Sequence, residues 1–130
     1  MSFVNFIMKK IILDTNFILT CVKQKIDFFE YLEEDGFEIS IPEQVILELE
    51  KIINSKKKLK FREFAELSLK LLERSKFKKI KLEKEYVDRG IIDFAEKHRE
   101  FIVATLDKEI KQKIKNKKLI IRGKKKLEII

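Results

Sequence analysis

The stretch KKIILDTNFILT, Lys9 to Thr20, decides how the rest of the chain is read. A short isoleucine-rich run ends on Asp14, and Thr15, Asn16 and a second apolar run follow. The run reads as a buried strand and the residues from Thr15 to Val22 as a helix. A carboxylate at the end of a buried strand is expensive without a partner, so Asp14 demands a cation, a hydrogen-bond donor or water.

Working outward, apolar periodicity divides the chain. IDFFEYLEEDG is an amphipathic helix stopped at Gly36, and FEISIP is a strand. Pro42 suits the first turn of the next helix, which carries Val45, Leu49, Ile52 and Ile53 on one side. Lys58 to Ser75 is a helix with Leu59, Phe61, Phe64, Leu67, Leu71 and Leu72 on its apolar side. FKKIKLE is a strand, YVDRGIIDFAEKHRE a helix, FIVATL a strand and DKEIKQKIKN a helix. KLIIRG is a strand, and KKLEII an edge strand or tail. This alternation predicts an α/β fold, a three-layer α/β/α sandwich around a parallel sheet of about five strands.

Composition bounds the answer. With 130 residues, 45% hydrophobic and 40% charged, the chain reads as one globular domain, residues 1–130. The lone Cys21 cannot form an internal disulfide and reads as a buried small hydrophobe. MSFVNFIMKK has its lysines after the apolar residues, the wrong order for a secretory signal, and no run approaches a membrane span. The expectation is a cytoplasmic protein with no membrane partner. The net charge of +8 is localised: residues 108–130 hold ten Lys/Arg against two acids, which leaves twenty of each sign upstream. A strongly basic C-terminal segment favours a polyanionic partner.

In such sheets, ligands bind beyond the carboxyl ends of the strands, at a switch in strand order. Asp14 follows IIL and Asp107 follows FIVATL, so both face one crevice if those strands are neighbours at the switch. Glu48 borders the buried stripe of its helix, and Asp88 opens VDRGIIDFA on the expected core side. Each has a bland alternative, a surface glutamate and a helix-dipole or capping acid. His98 reads as packed against the Ile91 and Ala95 stripe, and the eleven phenylalanines as core rather than base-stacking platforms.

Together, LDTNFIL, PEQVILEL, VDRGIIDFA and VATLDKEIKQKI resemble, in order, the four acidic motifs of the PIN-domain ribonucleases. The resemblance runs from Lys9 to about Glu128. The ending LIIRGKKKLEII is similar to small archaeal PIN proteins related to nucleases that process eukaryotic ribosomal RNA precursors. The resemblance implies a metal-dependent endoribonuclease, often dimeric, acting on RNA. Asp14, Glu48, Asp88 and Asp107 match the acids that would hold metal and carry catalysis, with Thr15, Asn16 and Thr105 as supporting polar residues. Departures are Arg89, where many relatives have a second acid, and Leu106, where many have Asn. Asp93, five residues from Asp88, lies about 140° around the helix and reads as solvated.

Phosphodiester hydrolysis suits such a set. Mg²⁺ or Mn²⁺ prefers hard carboxylate oxygens, whereas isolated Cys21 and His98 lack zinc-ligand spacing. Clustered carboxylates without metal repel, which should raise at least one pKa. Lys108, Lys111, Lys113 and Lys115 follow Asp107 and would hold RNA phosphates. A haloacid-dehalogenase-like site would need an acid where Asn16 stands, and a receiver domain lacks its early acidic pair here. Two alternatives stay open: a VapC-type toxin held by an antitoxin protein, and a PIN module that binds RNA without cutting.

Overall fold

In the computed structural model, residues 9–130 are described; the MSFVNFIM stretch excluded above as a signal lies outside them. The strands are β1 (Lys9–Leu13), β2 (Phe37–Pro42), β3 (Lys78–Ile80), β4 (Ile102–Ala104), β5 (Lys118–Arg122) and β6 (Lys126–Ile129). The helices are α1 (Thr15–Lys23), α2 (Phe28–Glu34), α3 (Glu43–Ile53), α4 (Leu59–Glu73), α5 (Val87–Lys97) and α6 (Lys108–Lys113). They build a sheet of order β3-β2-β1-β4-β5-β6. Five strands are parallel, as expected, and β6 adds an antiparallel edge strand to β5. The turn between them places Gly123 at φ 65°, a left-handed conformation that glycine adopts without a Cβ clash.

β1 is central because every one of its last three residues, Ile11, Ile12 and Leu13, is fully buried. A strand covered on both faces carries continuous rather than alternating apolar residues. On one side α3 and α4 pack against each other and α1 packs on both, while α5 touches α6. A single contiguous core cluster joins Phe17, Phe28, Leu49, Ile91, Ile110 and Leu119 to β1. The switch in strand order falls between β1 and β4, which pair Ile11 with Ile102, Ile12 with Val103 and Leu13 with Ala104.

Several boundaries differ from those read in the sequence. FIVATL forms only three residues of strand, and FKKIKLE likewise three. Pro42 ends β2 and stands at the N-cap of α3 rather than inside its first turn. α6 stops at Lys113; Asn116, expected in that helix, is buried and donates through Nδ2 to the carbonyls of Phe101 (2.9 Å) and His98 (3.1 Å). Leu59 and Leu67 are exposed, and the buried stripe of α4 instead runs through Ala65, Ser68 and Leu72. His98 is exposed at the C-cap of α5, its ring 4.4 Å from that of Phe94, rather than packed in the core. Cys21 is fully buried, and burial pushes its thiol up to about 12.

Two contacts fix α3 against the approach to α5. Gln44 Nε2 donates to the Leu82 carbonyl (2.9 Å) and the Lys84 carbonyl (3.2 Å), and Leu82 N–H donates to Gln44 Oε1 (3.2 Å). Leu82 in turn seats on Gly90, where an added Cβ would lie 2.7 Å from Leu82 Cδ1 and 3.0 Å from its Cβ. Glycine in mid-helix costs about 1 kcal/mol relative to alanine, so only this close approach makes it worthwhile. Gly90→Ala is therefore expected to lower the denaturant midpoint in the parent chain, where overpacking of about 1–3 kcal/mol wins. In a Leu82→Ala background, which removes the 2.7 Å contact and leaves the Cβ at 3.0 Å, the same change should cost less than in the parent, as a double-mutant cycle in urea would read.

Candidate functional site

One residue past the β1–β4 pairing, the chain brings Asp14 to Thr105. Asp14 N–H donates to the Ala104 carbonyl (3.0 Å), which continues the ladder. The Thr105 hydroxyl donates to Asp14 Oδ2 (2.9 Å), and Thr15 N–H donates to Oδ1 (2.8 Å). Asp14 is thereby the N-cap of α1, a position that favours a carboxylate because the first turn has spare N–H groups. Asp107 is the corresponding N-cap of α6, accepting from Ile110 N–H at 3.0 Å. Its own N–H donates to the Thr105 hydroxyl (3.1 Å), so this one hydroxyl binds both acidic segments.

The Asp14 carboxyl is raised from 3.8 to about 6. Burial is the largest cause; the bonds from Thr105 and Thr15 oppose it, and the charges of Glu48 and Asp107 raise it further. The expected mutual repulsion is thus present, but exclusion of water outweighs it. Asp14 is only 5% exposed, which is what makes desolvation dominate.

Asp14, Glu48 and Asp107 therefore form one electrostatic group. Glu48, half-buried, stands one helical turn after Gln44 on α3, so the Gln44–Leu82 bonds also set its place. A cleft of about 320 Å³ opens beside it, lined by Gln44, Lys51, Lys81 and Tyr86 among others. Asp88 is exposed rather than on the core side of α5, whose buried residues are Val87, Gly90, Ile91 and Ala95. Its Oδ1 accepts from Arg89 N–H (2.9 Å), and it is absent from the charges that raise Asp14. Asp93 pairs with Lys97 at 3.3 Å. Leu106 is half-buried against the core, where an amide would have required a polar partner.

Of the supporting residues, Thr105 makes the bond just described. Thr15 is buried, and its hydroxyl has no hydrogen-bond partner among the described residues. The Asn16 side chain is exposed and makes no hydrogen bond to another described residue; it lines a groove between α1 and α4 instead. Lys108, Lys113 and Lys115 are exposed and Lys111 half-buried, with Lys113 3.5 Å from Glu109. Lys115 lies beyond the end of α6. Sequence reading missed Gln44; its signal was its position four residues before Glu48, at the edge of the same apolar stripe.

The donor set fits a hard divalent cation in kind. Each Asp14 oxygen accepts a single protein hydrogen bond and keeps further acceptor capacity. Among the described residues no three acids converge closely enough to form a metal cage. Water and a substrate phosphate would have to complete the shell, as they ordinarily do around Mg²⁺.

A family model described as a PIN like domain matches residues 11–124 of this chain. The chain is similar to Ribonuclease VapC4 of Methanocaldococcus jannaschii, 34% identical over 128 residues that cover 94% of this chain and 97% of the relative. It is also similar to the rRNA-processing protein fcf1 of Schizosaccharomyces pombe, 33% identical over 110 residues, 81% of this chain and 53% of that protein. A solved structure titled as the PIN domain endonuclease Utp24 aligns with a TM-score of 0.73 and 29% identity, covering 92% of this chain and 90% of that one.

The raised Asp14 carboxyl carries a stability consequence. Between about pH 3.8 and 6 the native carboxyl keeps a proton that the unfolded chain releases, so stability falls as pH rises through that window. Above it a penalty on the order of 3 kcal/mol persists. Asp14→Asn should therefore raise the metal-free Tm by several degrees near pH 8 and change it little near pH 4. Differential scanning calorimetry at both pH values, with and without Mn²⁺, reads this; the ion should raise the parent Tm and leave the variant's nearly unmoved.

Proposed function

We propose, from the premise that the chain belongs to the PIN-like domain family, that it is a divalent-metal-dependent endoribonuclease. The observation that carries this reading is the buried Asp14 at the β1–β4 switch, raised to about 6 with Glu48 and Asp107 in electrostatic reach. A stable domain has no structural need to bury such a carboxylate. A function that requires negative charge in a dry site explains it.

Bound Mg²⁺ or Mn²⁺ would supply the activated water and the neutralisation of phosphate charge that hydrolysis of a phosphodiester requires. Asp14 and Asp107 would offer carboxylate oxygens to that ion, fixed in direction by Thr105, Thr15 N–H and Ile110 N–H. Glu48, half-buried at the cleft, would ligate or accept the proton of the attacking water. Asp88 would act from the exposed first turn of α5, directly or through water. Lys108 and Lys111, in the helix that Asp107 caps, would hold phosphates beside the cut.

The favoured role is RNA processing, supported by similarity to the rRNA-processing protein fcf1. A second reading, a toxin ribonuclease with an antitoxin partner, is supported by the match to VapC4 across 97% of that protein. Expression in a host cell separates them: growth arrest that requires Asp14 favours the toxin, and unimpaired growth favours processing. An inert PIN module is tested directly with a labelled structured RNA, incubated with Mn²⁺, Mg²⁺ or chelator. Cleavage is expected only with metal, and Asp107→Asn or Asp14→Asn should slow it by at least about a hundredfold. RNA that is bound but never cut with either ion would overturn the enzyme reading and turn attention to Arg89 and Leu106.

A further inference from the structure

The largely apolar groove that Asn16 lines is a different kind of surface from the cleft at Glu48. It measures about 390 Å³, within the range of small-ligand sites, and runs between α1 and the first turns of α4. Asn16, Thr20 and Lys23 recur at one-turn spacing along one side of α1, and Asn16 is two residues from Asp14. The groove thus has one end at the N-terminal turn of α1, the turn that Asp14 caps. Its other wall is Phe61 and Phe64, one turn apart on α4, each half-buried and part of no aromatic pair among the described residues. Lys23, Lys58 and Lys60 lie along it, and no acid does. Lys57 Nζ stands 5.8 Å over the Phe61 ring, a further cation at the same rim.

Core packing alone would account for two phenylalanines, as the sequence suggested. It does not account for three cations gathered around an aromatic wall that stays open to solvent. Aromatic rings flanked by lysines suit single-stranded nucleic acid, whose bases stack on the rings while its phosphates meet the cations. A peptide of mixed charge would gain nothing from the uncompensated lysines, and a duplex keeps its bases stacked inside and unavailable. The charge asymmetry thus favours a polyanion, and the open aromatic wall favours one with bases to stack.

We propose that the groove between α1 and α4 is a base-binding subsite, in which an unpaired nucleotide of the RNA stacks on Phe61 and Phe64. Its phosphates lie on Lys23, Lys58 and Lys60, and the strand continues past Asn16 to the acidic centre. The proposal rests on the ribonuclease reading and deepens it: it assigns the surface that holds a base on this side of the cut. Base stacking tolerates every base, so the subsite selects strandedness more than sequence.

The test is fluorescence anisotropy on the full chain in chelator, where binding is read without cleavage. The probes are a labelled single-stranded oligoadenylate and a blunt duplex of equal length. Phe61→Leu keeps an apolar side chain, and circular dichroism confirms its folding. It should weaken single-strand binding at least about fivefold and leave duplex binding unchanged. Lys58→Ala should weaken both and reduce the slope of log K against log salt by about one.

Single-strand binding unchanged by both Phe61→Leu and Phe64→Leu would overturn the subsite, yet leave metal-dependent cleavage standing. A parent chain that binds neither RNA in chelator would also overturn the subsite, while the ribonuclease reading stands or falls on the metal-dependent cleavage assay. If sedimentation finds a dimer that Phe61→Lys dissociates, the groove belongs to a second copy of the chain and the proposal fails.

Discussion

The bond from the Thr105 hydroxyl to the Asp14 carboxylate, 2.9 Å across the β1–β4 pair, is the constraint on which the site depends. It joins positions 91 residues apart, and it does so where strand order reverses. Burying that carboxylate opposes folding, as its raised pKa records. The protein offsets this only in part, with two donors on the carboxylate and a helix N-terminus behind it. The same hydroxyl then accepts from Asp107 N–H, so β4 ends after three residues and its backbone turns to start α6. A longer β4 would move Asp107 out of reach of Asp14. The brevity of this strand is a requirement of the site.

What could be read beforehand follows from which forces are local. β1 announces itself because a strand buried on both faces must be apolar throughout, and Asp14 stands out against that background. The α/β alternation was legible for the same reason, whereas the neighbouring of β1 and β4 entered only as a condition, which the strand order meets. The residues that fail to fit local pattern were not legible. Asn116 lies in a helical-looking run, but its amide is drawn inward by two carbonyls that end the α5–β4 connection. Gln44 resembles any polar helix residue until the backbone at Leu82 arrives from nearly forty positions away. Asp88 was placed toward the core by helical spacing, whereas Gly90 and Leu82 rotate that face of α5 inward and leave Asp88 in solvent.

The acids were legible as types and not as a constellation. Spacing marks Asp14 and Asp107 because each follows a strand and caps a helix, a coincidence of two local rules at one residue. Glu48 satisfies neither rule, and its membership rests on a tertiary relation to Asp14. The motif resemblance suggests the ordering that links these positions, while the structure supplies their unequal environments: one buried, two half-buried and one exposed. That gradation matters chemically, since only the buried member suffers a large desolvation and so gains most from a bound cation.

The same inequality organises charge on a larger scale. Two cationic features of different construction adjoin the acidic segments along the chain: the α6 lysines after Asp107, and the groove of Lys23, Lys58 and Lys60 that Asn16 also lines. A phosphate chain is attracted by both features and repelled by the acids, so without a cation it would bind with strain there. Neutralising the acids removes that repulsion at the point where a bond must be cut. On the proposed reading, binding of metal and of polyanion would then be cooperative by electrostatics alone, since each lowers the cost that the other meets. On the metal-dependent reading, the carboxylate that burdens the isolated fold would be the one that couples the two ligands.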